Sequence, residues 1–114
     1  MINQFSRSEL IYGKDAIETL KGCRVAVFGV GGVGGYVVEA LARAGVGGLD
    51  IIDNDNVSLT NINRQIIATH DTIGESKVVV CEARIKQLNP NCEVQGHQMF
   101  YLPETAEHFD LTEY

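Results

Sequence analysis

The chain has 114 residues, of which 45% are hydrophobic and 21% charged, and its formal net charge is -6 at pH 7. This length is sufficient for one compact domain but not for two. An acidic chain has no basic surface of its own for nucleic acid, so a nucleic-acid partner would need cations from elsewhere. No membrane span or signal segment is visible, and three cysteines without paired spacing favour the cytoplasm.

Two short helices are expected before the first strand. A Ser-x-x-Glu capping box at Ser6 predicts that one helix begins there, and the apolar spacing predicts a second helix over Lys14–Lys21. We interpret residues 1–22 as an N-terminal helical arm and residues 23–114 as a single nucleotide-binding core of βαβαβ type.

The core alternates strands and helices. In chain order we expect a strand over 24–28, a helix over 33–44, a strand over 49–53, a long polar connection over 55–73, a helix capped by Ser76 and ending near 89, a strand over 92–99 and a short acidic helix over 103–109. This order is typical of an α/β protein with a Rossmann-like, partial doubly wound and mainly parallel sheet. Since three strands make a thin core, the chain is expected to be part of a longer polypeptide.

A glycine-rich turn follows the first strand. Gly29, Gly31 and Gly34 match G-x-G-x-x-G, and Gly32 adds a further glycine inside the turn. Glycines at such a turn let phosphate oxygens approach the backbone, and the following helix offers unpaired N–H groups and a favourable dipole. The turn therefore predicts a phosphate site, the alternative being a turn that only packs the helix on the strand.

A carboxylate ends the second strand. Asp53 lies about twenty positions beyond the glycine turn, where a carboxylate accepts hydrogen bonds from both ribose hydroxyls. This position predicts a nucleoside with a free 2′-hydroxyl, which NAD and ATP both possess.

The loop beyond that carboxylate favours ATP over NAD. Arg64 lies among polar side chains, and Lys77 opens the next helix, where a lysine gains nothing from the helix dipole. Cations and polar donors here would stabilise the charge on a departing pyrophosphate. The polar side chains are Asn61, Asn63 and Gln65. A loop salt bridge for Arg64 and a solvated surface charge for Lys77 are the alternatives.

Four stretches together, "GVGGVGG", "ARAGVG", "IIDNDNVSLTNINRQ" and "GESKV", resemble the ThiF/MoeB/HesA family, the bacterial relatives of ubiquitin-activating enzymes. The resemblance runs from Arg7 to Pro90 and implies an enzyme that binds ATP with Mg2+ and adenylates a carboxylate. It places Asp53 on the ribose and Thr60 to Arg64 along the nucleotide.

The resemblance also implies catalytic roles for cations. Arg64 and Lys77 would contact the phosphates, and Arg7 resembles an arginine finger that reaches the active site of a partner subunit in a homodimer. Asp55 belongs to the family pattern without a clear role. The predicted ATP-binding residues are Gly29, Gly31, Gly32, Gly34, Asp53, Asp55, Thr60, Asn61, Asn63, Arg64, Gln65 and Lys77.

Within that family, the segments "NINRQIIATHDTIGESKV" and "ARIKQLNP" are most similar to the branch that uses ATP to activate and cyclise N6-threonylcarbamoyladenosine in tRNA. The alternatives are a sulfur-carrier-protein adenylyltransferase of the thiamin or molybdopterin type, half of an NAD-dependent oxidoreductase, and a non-catalytic nucleotide-binding module. The family carries its Mg-binding aspartate after the next strand. The resemblance therefore implies no metal ligand within this chain, and a chain of this length is expected to be inactive alone.

Overall fold

The computed structural model describes residues 2–114, and its centre is a three-stranded parallel sheet in the order β1-β2-β3. The strands are β1 (Arg24–Phe28), β2 (Gly48–Ile52) and β3 (Glu93–His97), and the helices are α1 (Ser6–Tyr12), α2 (Lys14–Lys21), α3 (Gly34–Ala44) and α4 (Lys77–Leu88). Single turns of 3-10 helix cover Leu59–Asn61, Ala106–His108 and Leu111–Glu113. The α/β class and the parallel sheet predicted from the sequence are confirmed.

The central strand carries the core. All five residues of β2 are buried, since β1 and β3 flank it and α3 and α4 cover one face. Leu49 and Ile51 on that face are fully buried. Burial of a side chain of this size stabilises the fold by about 1.5–3 kcal/mol. The central position in the sheet explains why β2 is buried along its whole length, whereas the edge strand β1 is only partly buried.

A charged clamp joins the two covering helices. Glu39 on α3 accepts hydrogen bonds at 2.9 and 3.1 Å from Arg84 on α4 and at 2.8 Å from Arg43, one turn further along α3. The Arg84 hydrogen bonds outweigh burial and hold the pKa of Glu39 below its usual value. Both carboxylate oxygens are therefore satisfied although the residue is buried.

The other face of the sheet holds a second buried carboxylate. Asp50 accepts a hydrogen bond at 2.6 Å from Arg24 and another from Tyr114. Burial raises the pKa of Asp50, but these two hydrogen bonds outweigh it, and the pKa lies below its usual value.

The start of α1 lies at the amino-terminal edge of the sheet. The Phe5 ring packs against Gly45, directly after α3, and the Gln4 side chain donates at 2.8 Å to the carbonyl of Leu88, the last residue of α4. Since α3 and α4 run antiparallel to the strands, their carboxyl ends mark the edge where the strands begin. The segment before α1 therefore lies opposite the carboxyl ends of the strands.

Neither predicted side-chain cap forms. The Ser6 hydroxyl accepts from the N–H of Asn3 instead of capping α1, and the Ser76 hydroxyl is buried without a hydrogen-bond partner among residues 2–114. The first N–H of α4, that of Lys77, donates to the carbonyl of Asp55 at 3.0 Å. A neighbouring loop thus supplies the cap that the sequence assigned to serine.

The prediction of an acidic helix over 103–109 is wrong. The only helical structure there is one 3-10 turn, Ala106–His108. The Thr105 hydroxyl accepts from the N–H of Leu102 and donates to the carbonyl of Phe100, so local side-chain bonds replace the helical ones. Over the part of the chain described, no helix has the length and apolar character needed to cross a membrane.

Candidate functional site

The turn after β1 depends on two glycines for its shape. Gly29 has a φ of 90°, and its N–H donates at 2.7 Å to the carbonyl of Ile52. A Cβ on Gly34 would lie 1.7 Å from the carbonyl oxygen of Gly29. These positions require glycine for backbone reasons, because one needs a left-handed conformation and the other a close helix–strand contact.

Gly32 leaves space open in front of the turn. A Cβ on Gly32 would meet nothing within 4 Å. The N–H groups of residues 31–34 have no acceptor within residues 2–114, and α3 begins at Gly34. Free amides at the amino end of an eleven-residue helix provide hydrogen bonds and a positive potential for an anion.

Asp53 connects this turn to the end of β2. One carboxylate oxygen accepts from the N–H of Val30 at 2.9 Å, and the other accepts from the N–H of Asp55 at 2.7 Å. Each oxygen has one lone pair engaged and another available. The side chain can therefore support the loop and still accept hydrogen bonds from two ribose hydroxyls.

A pocket of about 230 Å³ lies beside Asp53 at the carboxyl ends of the strands. It is lined by Phe28, Gly29, Ile52, Asp53, Asn54, Asp55, Met99, Phe100 and Tyr101. In open α/β sheets, ligands bind at this edge. The sequence analysis did not identify Met99, Phe100 and Tyr101 as site residues. Their position directly after β3 indicated that they would lie at the carboxyl ends of the strands.

Two predicted polar residues of the long loop are buried. Gln65 is 7% exposed, its Nε2 is the atom nearest to where a Cβ on Gly31 would lie, and its Oε1 is buried without a partner among the described residues. Asn61 accepts at 2.9 Å from the N–H of Ser58 and so holds the loop in shape. The structure thus places Gln65 against the glycine turn and assigns Asn61 a local structural contact.

Three further predicted residues lie together on the surface. The Arg64 guanidinium donates at 3.0 Å to the carbonyl of Thr60 and at 3.0 Å to the side chain of Asn63. All three side chains are exposed. The Arg64 Nε and Nη2 groups have no acceptor within residues 2–114, so donors remain for an incoming anion.

Lys77 is buried at the first position of α4. Its side chain is 6% exposed, and Nζ lies 3.8 Å from an Asp55 carboxylate oxygen, which is beyond hydrogen-bond distance. No other polar partner of Nζ occurs among the described residues. The ammonium donors therefore remain available to an incoming anion beside the Asp55 carboxylate.

Arg7 is not brought to this site within its own chain. It is exposed on α1, and the residues just before it contact the carboxyl ends of α3 and α4. That edge is opposite the glycine turn.

The potential metal ligands and the cysteines of residues 2–114 are dispersed. The described residues include no cluster of three or more histidine, cysteine or acidic side chains that could hold a metal. Burial raises the pKa of the Cys81 thiol to about 12, which leaves it protonated and unreactive at neutral pH. Cys92 is also buried, whereas Cys23 is exposed.

The site combines free amides at the start of a helix with a carboxylate at the end of the next strand, and these features are typical of nucleotide-binding α/β proteins. A lysine with a buried side chain is added to them. The sequence relationship is more specific than this class. A model of the ThiF family matches residues 5–111, and the chain belongs to that family.

Two relatives are similar to the chain over most of its length. The chain is 53% identical over 109 residues to the tRNA threonylcarbamoyladenosine dehydratase of Bacillus subtilis, covering 96% of this chain and 43% of that protein. The sulfur carrier protein adenylyltransferase of Thermus thermophilus is 35% identical over 94 residues, covering 82% and 35% of the two chains.

A solved structure shares the fold closely. The Escherichia coli tRNA N6-threonylcarbamoyladenosine dehydratase in complex with AMP superimposes with a TM-score of 0.93 at 38% identity, covering 97% of this chain and 45% of that one. The chain thus spans less than half the length of the relatives it matches.

Proposed function

We propose that this chain binds ATP and belongs to an enzyme that adenylates a carboxylate, namely that of N6-threonylcarbamoyladenosine in tRNA. The observation that carries the proposal is Lys77, whose side chain is buried and whose ammonium has no hydrogen-bond partner among residues 2–114, in a site whose glycine turn presents free amides. A triphosphate supplies the anion that both features lack.

Each part of the site has a proposed role in binding the nucleotide. The turn from Gly29 to Gly34 would bind phosphate oxygens, and Asp53 would accept from the ribose hydroxyls. The pocket beside Met99 and Phe100 has space and apolar surface for the adenine. Gln65 would bind a phosphate oxygen or a water from its buried position against the turn.

The cations would act during the reaction. The acceptor carboxylate attacks the α-phosphorus, the bond to pyrophosphate breaks, and a later intramolecular attack on the acyl adenylate releases AMP and closes the ring. Lys77 and Arg64 stabilise the charge that grows on the departing pyrophosphate. Mg2+ would enter with ATP and would offset the negative charge of its phosphates.

The enzyme is proposed to be a homodimer in which Arg7 acts on the nucleotide of the partner subunit. The position of α1 opposite the glycine turn supports action across an interface over action within one chain. A tRNA substrate and unpaired cysteines favour the cytoplasm as its compartment.

Two alternatives remain distinct from this proposal. A sulfur-carrier adenylyltransferase would use the same first step, but the 35% identity to such a relative is lower than the 53% identity to a tRNA dehydratase. An NAD-dependent oxidoreductase would share the glycine turn and Asp53. Its pyrophosphate is bound mainly by backbone amides and the helix dipole, so this alternative does not account for Lys77.

Calorimetric titration of the protein with ATP·Mg and with NAD tests the nucleotide. We expect ATP to bind at least about tenfold more tightly, because a triphosphate compensates Lys77 and Arg64 and a dinucleotide pyrophosphate does not. NAD binding as tight as ATP binding would exclude the proposal. Incubation with ATP and either modified tRNA or a sulfur-carrier protein, followed by pyrophosphate release, then identifies the acceptor.

A further inference from the structure

Asp55 is attached to Lys77 in two ways. Its carbonyl accepts the N–H of Lys77 at 3.0 Å, and its carboxylate lies 3.8 Å from Nζ. The flanking segments are held together by an antiparallel bridge between Asn56 and Ser76. In addition, the N–H of Val57 donates a hydrogen bond at 2.8 Å to the carbonyl of Glu75. The loop and the start of α4 therefore keep the two side chains near one another.

The same aspartate is tied to the nucleotide end of the site. Its N–H donates at 2.7 Å to Asp53, whose carboxylate also accepts from the N–H of Val30 in the glycine turn. A continuous set of contacts thus runs from the turn through Asp53 and Asp55 to the amino end of α4.

The ion pair is poorly suited to stabilising the fold. The Asp55 side chain is 68% exposed, whereas that of Lys77 is 6% exposed. An ion pair with one solvated partner and no hydrogen bond contributes little to folding. The exposed Asp55 carboxylate instead directs the ammonium of a buried lysine side chain toward the solvent-facing side of the loop, where Asp55 also lines the pocket.

We propose that Asp55 is a positioning residue that holds the Lys77 ammonium at the phosphate end of the site; this inference rests on the proposed binding of ATP. Asp55 does not contact the reacting atoms. It orients Lys77 before the nucleotide arrives, and the phosphates then supply the hydrogen bonds that the 3.8 Å ion pair lacks.

The sign of one substitution separates this role from simple proximity. A carboxylate near a triphosphate repels it, so Asp55→Asn would strengthen ATP binding if Asp55 acted through its charge alone. If Asp55 orients Lys77, the same substitution weakens ATP binding, because the ammonium loses its direction. Adenosine carries no phosphate and should bind equally to both proteins.

The experiment measures affinity for ATP·Mg, AMP and adenosine in the wild-type protein, Asp55→Asn, Lys77→Met and the double variant. Asp71→Asn is the matched control, since it removes an exposed carboxylate from the same connection. We expect Asp55→Asn to weaken ATP binding by about fivefold to tenfold and adenosine binding by less than about twofold, with Asp71→Asn unchanged. In the Lys77→Met background, Asp55→Asn should cause no further loss.

Each other result overturns the inference in a recognisable way. Stronger ATP binding by Asp55→Asn would show that Asp55 only repels phosphate. If Asp55→Asn still weakens ATP binding in the Lys77→Met background, Asp55 makes a direct contact of its own, for example with the magnesium ion. If Asp55→Asn weakens adenosine binding as much as ATP binding, the substitution has damaged the loop in general. Absence of ATP binding by the wild-type protein would reject the proposed function itself, and the inference with it.

Discussion

Two glycines in the turn after β1 are required for different reasons, one for backbone packing and the other for open space in front of the turn. At Gly34, a Cβ would lie 1.7 Å from a backbone carbonyl oxygen of the same turn, a position that no small adjustment relieves. At Gly32, a Cβ would meet nothing within 4 Å. The first glycine therefore maintains the packing of helix on strand, and the second keeps open the space in front of the free amides.

Alanine substitutions at these two positions should separate folding from binding. Gly34→Ala should lower the free energy of unfolding by about 3 kcal/mol or more, because the backbone of the turn must move. Gly32→Ala should leave the thermal midpoint unchanged and weaken ATP binding, since its methyl group enters the phosphate space. Thermal unfolding and calorimetry measure the two effects, and a stable Gly34→Ala protein that binds ATP normally would contradict this assignment.

At the scale of elements, α3 and α4 are joined by packing and by the clamp of Glu39 with Arg84 and Arg43. Glu39 has a pKa below its usual value of 4.5, first because of the hydrogen bonds from Arg84. A group whose folded pKa is lowered stabilises the fold above its unfolded pKa, and this contribution disappears as the pH falls through the folded value.

Glu39→Gln should therefore reduce stability at pH 7 by about 1–2 kcal/mol and flatten the acid limb of the stability profile below the usual pKa of 4.5. Chemical unfolding across that pH range measures the effect. Glu18→Gln is the matched control, because within residues 2–114 the exposed Glu18 pairs only with the exposed Lys21. If both variants lose stability equally and with the same pH profile, the clamp is not the source of the pH-dependent stability.

At the scale of the whole molecule, the arm and the site lie at opposite edges of the sheet. The Phe5 and Gln4 contacts fix the start of α1 near the carboxyl ends of α3 and α4, whereas the glycine turn lies at the carboxyl end of β1. The proposed role of Arg7 therefore requires a nucleotide bound to another subunit.

Subunit exchange tests this directly. Arg7→Ala and Arg64→Ala should each be inactive, but mixed dimers should regain one complete site and up to about half the activity per mixed dimer, because arginine fingers stabilise only the transition state. Native mass spectrometry confirms exchange, and pyrophosphate release measures recovery. Confirmed exchange without recovery would place Arg7 in its own site or outside catalysis.

Much of the fold was predictable because its signals are local. Apolar runs and helical spacing predict β1, β2, α2 and α4 within a residue or two of where they occur. The glycine turn is equally local, because steric limits on the backbone act within a few residues. Predictions failed where a local signal had a competitor, as at Ser76, whose capping role the carbonyl of Asp55 takes.

The sequence by itself determined the alternation of elements, the glycine turn and a carboxylate at the end of β2, since each depends on neighbours along the chain. Only the tertiary structure decided that Met99 and Phe100 line the pocket and that Lys77 is buried 3.8 Å from Asp55. The physical reason is that parallel pairing and helix packing bring together segments separated by long loops. Burial and charge pairing arise only once those segments meet.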